Sequence, residues 1–145
     1  MIIRNMKKGD AKSVAEIEQM VFSMPWSEKG ILDFFGNTYS RFFVSEKDDE
    51  IIGYIGAYIV ADEMDITNIA VKNQYQRMGI GMKLMEKVME EARNENCSSV
   101  NLEVRESNNN AIKLYEKMGF KRVGIRKNFY SRPTENAIFY RYEFL

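Results

Sequence analysis

An apolar, strand-like run, Asn68-Ile69-Ala70-Val71, leads into the turn Gln76-Arg77-Met78-Gly79-Ile80-Gly81, and a strongly amphipathic stretch follows at once. No other segment restricts the fold as much. A strand that passes through a glycine turn into a helix leaves the helix's first backbone N–H groups without intrahelical partners, and the helix dipole adds partial positive charge there. Glycines at 79 and 81 let a phosphate come close to that backbone, so Arg77, Met78, Gly79, Ile80, Gly81 and Met82 are candidate donors of a phosphate cradle. Two common cradles are excluded. A P-loop ends in Gly-Lys-Ser/Thr, whereas Gly81 is followed by Met82-Lys83. A dinucleotide fingerprint needs a third small residue where this chain has Leu84.

The 145 residues fit one domain, 1–145. A chain of that length buries ~68–70% of its unfolded surface, enough for a core without staples. A single cysteine, Cys97, rules out an intramolecular disulfide and a cysteine-rich metal site. The 21 basic residues balance the 21 acidic ones, which argues against direct nucleic-acid binding, since phosphate-backbone binding shows as excess Lys and Arg. No apolar run is long enough to span a membrane, and Met1-Ile2-Ile3-Arg4-Asn5 lacks the shape of a signal peptide. The expectation is a soluble, cytoplasmic protein, a monomer or weak dimer. Histidine is absent, so Ser-His-Asp and Cys-His machinery cannot be built. Acid–base chemistry falls to Glu, Asp, Tyr, Lys or Cys.

Periodicity predicts a strand over 2–6 and a helix from Asp10, acting as its cap, to about Phe22, with Val14, Ile17 and Val21 on one face. Ser27 caps a second helix through about Phe35, ended by Gly36-Asn37. Strands over 41–46, 50–60 and 62–71, separated by short turns, suggest an antiparallel meander. The helix after the glycine turn aligns Ile80, Leu84, Met85, Val88, Met89 and Ala92. A strand over 99–104, a helix over 108–118 ended by Gly119, and strands over 120–127 and 136–144 complete the chain. The order β-α-α-β-β-β-α-β-α-β-β implies an α/β fold, a mixed, mostly antiparallel sheet with helices on both faces.

That order is also the order of the GNAT superfamily of N-acetyltransferases, and Gln-x-x-Gly-x-Gly after a strand resembles that family's pyrophosphate-binding motif. A second segment resembles the family too: Leu102-Glu103-Val104-Arg105-Glu106-Ser107-Asn108 running into Ala111-Ile112-Lys113-Leu114-Tyr115-Glu116-Lys117-Met118-Gly119-Phe120. Met24-Pro25-Trp26-Ser27-Glu28, Asn68-Ile69-Ala70-Val71 and Arg126-Lys127-Asn128-Phe129-Tyr130 narrow the resemblance to the RimI branch, the ribosomal-protein alanine N-acetyltransferases.

The resemblance implies acetyl-CoA as cofactor and, as acceptor, the N-terminal alanine of a basic small-subunit ribosomal protein. It implies that the backbone of Ile69, Ala70 and Val71 pairs with the pantetheine arm and that Asn108 contacts the same arm. An N-terminal ammonium, pKa ~7.7–8.0, must lose a proton before it attacks a thioester, and an acid must protonate the departing thiolate. Glu103 lies on the strand face opposite Val100, Leu102 and Val104. By itself it reads as a solvated glutamate; the resemblance makes it the general base. Tyr115, on one helical face with Ala111 and Met118, reads equally as a core tyrosine; the resemblance makes it the general acid. Trp26 and Tyr130 are candidates to line the acceptor groove, although an aromatic at a helix start is often a packing plug. Acidic Asp62-Glu63 could attract a basic substrate tail. Cys97 is expected to be structural. Two other readings stay open here: an acceptor that is a lysine, polyamine or aminoglycoside, and a non-catalytic acetyl-CoA sensor.

Overall fold

A computed structural model describes every residue from Met1 to Leu145. Its elements are β1 (Ile2–Asn5), α1 (Ala11–Val21), α2 (Glu28–Phe35), β2 (Ser40–Lys47), β3 (Glu50–Val60), β4 (Glu63–Val71), α3 (Ile80–Asn94), β5 (Ser99–Arg105), α4 (Asn109–Lys117), β6 (Lys121–Tyr130) and β7 (Glu135–Glu143). The seven strands form one sheet in the order β1-β2-β3-β4-β5-β7-β6. Only β4 and β5 run parallel. A parallel pair needs a crossover, and α3 supplies it. The expected α/β architecture is the observed one, and no helix is long and apolar enough to cross a membrane.

The helices divide by face. Ile80, Leu84, Met85, Val88, Met89 and Ala92 of α3 pack with Tyr115 of α4 against Phe43, Ile52, Ile55, Val100, Leu102 and Val104. Val14 and Ile17 of α1 and Ile31 of α2 pack on the other side against Phe42, Val44, Ile51 and Tyr54. Neighbours along β2 and β3 point to opposite faces, so these central strands are apolar on both sides. Each fully buried aliphatic side chain here is worth ~1.5–3 kcal/mol of transfer free energy. The β2–β3 hairpin turns on Asp48 and Asp49, both at positive φ, as a two-residue turn that follows strand twist requires.

Ser27 caps α2 as expected, its hydroxyl accepting the Gly30 N–H at 3.0 Å. Asp10 behaves differently. Its carboxylate reaches back to the Lys7 N–H at 2.8 Å and pairs with Arg4 of β1, closing a 3₁₀ turn that precedes α1 instead of capping α1 itself. The sixth strand is displaced from 120–127 to Lys121–Tyr130, because Phe120 is buried as an anchor against Tyr115 and Tyr142.

The sheet's most consequential irregularity lies in β4. Its pairing with β5 covers only Glu63–Asp65 against Ser99–Asn101. Gly56 of β3 then pairs with Asn68 while Ala57 pairs with Ile66, leaving Thr67 as an extra residue on β4. Such a bulge bends a strand. Beyond it, Asn68–Val71 stay paired with β3 on one side and have no strand on the other.

Candidate active site

The opening between β4 and β5 is bounded at one end by the start of α3. Gly79 has φ 81° and caps the helix without a side chain. The first helical bond runs from the Lys83 N–H to the Gly79 carbonyl at 3.2 Å, so the N–H groups of Ile80, Gly81 and Met82 precede the helical ladder. Gln76 ties the turn to the end of β4, donating from Nε2 to the Val71 carbonyl at 3.1 Å. Arg77 also sits at positive φ, 64°, with an exposed side chain. A Cβ at Gly81 would meet only Leu114 Cδ2, at 3.8 Å, so packing within the chain does not demand glycine there. The cradle expected over Arg77–Met82 therefore has free donors, positive helix-end charge and space for an anion.

The two candidate catalytic groups lie on opposite faces of the sheet, Glu103 on the stretch of β5 that has no β4 partner. Tyr115, 5% exposed, comes from α4 and packs against Phe120 and Tyr140. Complete burial, then the neighbouring Tyr130 phenol, push its pKa up. Glu103 projects from β5 on the other face, level with Phe139. Its side chain is exposed yet partly desolvated. That burial raises its carboxyl above the usual value; Arg126 opposes the rise and Asp65 adds to it. Tyr130 stands between the two in electrostatic terms. Burial and then the Glu103 carboxylate push its phenol up to about 12, against the lowering effect of Arg105. Tyr130 is thus near enough to feel the Glu103 charge and to affect the Tyr115 phenol.

Arg105, not singled out from sequence, holds Tyr130 in place. Its guanidinium lies 4.5 Å from the Tyr130 ring centroid, pairs with Glu135 at 3.1 Å, and donates to the Ser131 carbonyl at 2.8 Å. Its one visible signal was its position two residues after Glu103, on the same strand face. Ser131 in turn donates to Met24 Sδ at 3.1 Å, joining the segment before α2 to the β6–β7 connection across this face. Trp26 packs its ring on Phe34 at 5.7 Å and Phe34 packs on Tyr58 at 5.9 Å, while Trp26 stays partly exposed. Tyr58 faces Asp65, which together with burial and the Glu103 charge raises its phenol.

Two other expected residues have structural duties. Asn108 caps α4, its Oδ1 accepting the Ala111 N–H at 3.2 Å, which leaves its amide nitrogen to donate elsewhere. Glu63 is taken up by Arg141 at 2.8 Å and Ser99 at 2.9 Å, so Asp62-Glu63 is not a free acidic pair. Cys97 is buried, and desolvation raises its thiol.

The family model described as Acetyltransferase (GNAT) family matches residues 11–120. The chain belongs to the GNAT acetyltransferases. The ribosomal protein bS18-alanine N-acetyltransferase of Escherichia coli strain K12 is 35% identical over 135 residues, covering 93% of this chain and 89% of that protein. The Haemophilus influenzae protein of the same name is 37% identical over 140 residues, covering 94% of each chain. Among solved structures, the Escherichia coli ribosomal-protein-S18-alanine N-acetyltransferase superposes with a TM-score of 0.92 at 32% identity, covering 98% of this chain and 92% of that one. Ard1 from Thermoplasma volcanium superposes at 0.91 with 31% identity, covering 99% and 97%. This GNAT protein is therefore an acetyltransferase, and the sensor reading gives way.

Proposed function

We propose that this acetyltransferase transfers the acetyl group of acetyl-CoA to the N-terminal α-amine of a protein, with the N-terminal alanine of ribosomal protein bS18 as its acceptor. The open edge of β4, with Glu103 on the stretch of β5 that has no β4 partner and Tyr115 buried on the opposite face, carries the reading. Likeness to bS18-alanine enzymes over nearly the whole chain supports the acceptor.

Bound acetyl-CoA would supply a thioester whose carbonyl an amine can attack. The N–H groups of Gly79–Met82 would hold its diphosphate, the unpaired edge of Ile69–Val71 its pantetheine arm, and the free amide of Asn108 the same arm. Glu103, with its affinity for protons raised by desolvation, accepts a proton from the acceptor's ammonium. The amine nitrogen would then bond to the carbonyl carbon as the carbon–sulfur bond breaks, and would release its second proton to solvent. Tyr115, kept protonated by burial, gives its proton to the departing sulfur. Trp26 and Tyr130 line the acceptor side of this face.

The test is mass spectrometry of a bS18 N-terminal peptide after incubation with the enzyme and acetyl-CoA, beside a lysine-bearing peptide with a blocked N-terminus and a set of small amines. Acetylation confined to the α-amine of alanine is expected. Modification of only the lysine or the small amines would overturn the acceptor assignment.

A further inference from the structure

One buried charge links the elements that would hold the two substrates. Glu18 of α1 is fully buried. Its carboxylate can only accept, and its donors come from three separate segments. Oε1 accepts the Trp26 backbone N–H at 2.9 Å, while Oε2 accepts Asn68 Nδ2 at 2.9 Å and the hydroxyl of Tyr54. Tyr54 of β3 is itself fully buried, and burial, then the Glu18 charge, keep its phenol protonated as a donor. A carboxylate removed from water is tolerated when hydrogen bonds replace that water, and these bonds do so. An apolar side chain would close the same core without desolvating a charge. What the carboxylate adds is direction: it fixes one backbone position in a loop against one side chain of a strand.

Those two points lie beside the two halves of the site. Trp26 ends the segment Ser23–Trp26, whose Ser23 and Met24 reach Arg105 and Ser131 on the Glu103 face. Asn68 immediately precedes Ile69–Val71, the unpaired edge of β4.

We propose that Glu18 is a positioning residue that fixes the Met24–Trp26 wall of the acceptor groove relative to β4, and so sets acceptor affinity without touching either substrate. The proposal rests on the acceptor side assigned above. Helix position hides the residue in sequence, because a glutamate four residues after Val14 on an otherwise apolar face reads as a stray surface charge.

The experiment compares Glu18→Met, Glu18→Gln and Tyr54→Phe with the wild type. Met fills the space with no acceptor and no buried charge. Gln keeps one accepting oxygen that can still take the Trp26 N–H. Tyr54→Phe removes a donor but leaves the link to Trp26. For Glu18→Met, the KM for the alanine-terminated peptide should rise about tenfold or more, the effect of losing one charge-assisted hydrogen bond, with the acetyl-CoA KM within about twofold. Glu18→Gln should recover part of that loss, and Tyr54→Phe should lower Tm with both KM values kept. Emission from Trp26, the chain's single tryptophan, should shift to the red in ligand-free Glu18→Met and not in Tyr54→Phe. An unchanged peptide KM, or equal rises for both substrates, would overturn the proposal. Should Glu18→Met fail to fold, the same peptide-selective rise in Glu18→Gln decides. A wild-type enzyme that ignores the peptide would refute the acceptor assignment, while Trp26 emission would still decide whether Glu18 holds the loop.

Discussion

At the scale of single residues, Glu103 serves two opposed demands. Its folded pKa is raised, so the native state holds its proton to higher pH than the unfolded chain does. Stability from this group is complete below the unfolded carboxyl pKa and is lost as pH rises through the raised folded value. Above that value the ionised carboxylate therefore opposes folding while it serves as base. Glu103→Gln should lower kcat by roughly 10²–10⁴-fold, leave acetyl-CoA binding near wild type, and raise Tm at pH 7. Calorimetric titration and thermal melts would check both halves. Tyr115→Phe keeps the buried ring and loses only the proton donor, so a large fall in kcat with an unchanged melt is expected. Full activity in that variant would remove the acid role. Residue identity made Glu103 and Tyr115 visible only through the family resemblance. Asp10 was misread because nothing local announces that Arg4, on a neighbouring strand, draws its carboxylate backwards.

At the scale of elements, the glycine turn separates two requirements that a motif merges. Gly79 needs its positive φ, whereas Gly81 has ordinary helical surroundings and room for a methyl group. Gly79→Ala should cost about 1–2 kcal/mol of stability through left-handed strain. Gly81→Ala should leave the fold as stable or slightly more so, by up to about 1 kcal/mol of helix propensity, yet weaken acetyl-CoA binding. Melts paired with binding isotherms would separate the two, and a Gly81→Ala protein with wild-type affinity would remove that glycine from the cradle. Helices and strands were legible because the apolar spacing of α3 follows one helical period, that of β4 and β5 alternates, and β3 is a continuous apolar run bounded by turns. The bulge at Thr67 was not, since a one-residue insertion in a strand pair leaves no mark in either strand's own pattern.

At the scale of the molecule, two cores lie on either side of a sheet whose halves join firmly at one end. There Arg141 clasps Glu63 and Asn101 clasps Asp65. A carrier bound between β4 and the start of α3 would stabilise the fold by mass action. At about one hundred times its Kd, acetyl-CoA should add ~2.7 kcal/mol, a rise in Tm of roughly 5–10 °C. Differential scanning fluorimetry against free adenosine diphosphate would show whether the pantetheine contributes.

The missing half of the β4–β5 ladder has an evolutionary consequence. Main-chain amides look alike in every amino acid, so on the proposed placement the acyl carrier is recognised by a surface that point mutations scarcely alter. Natural variation can then remodel the loops that greet the incoming polypeptide while the donor half of the enzyme keeps working. Such a division lets one scaffold acquire new clients without first losing its fuel.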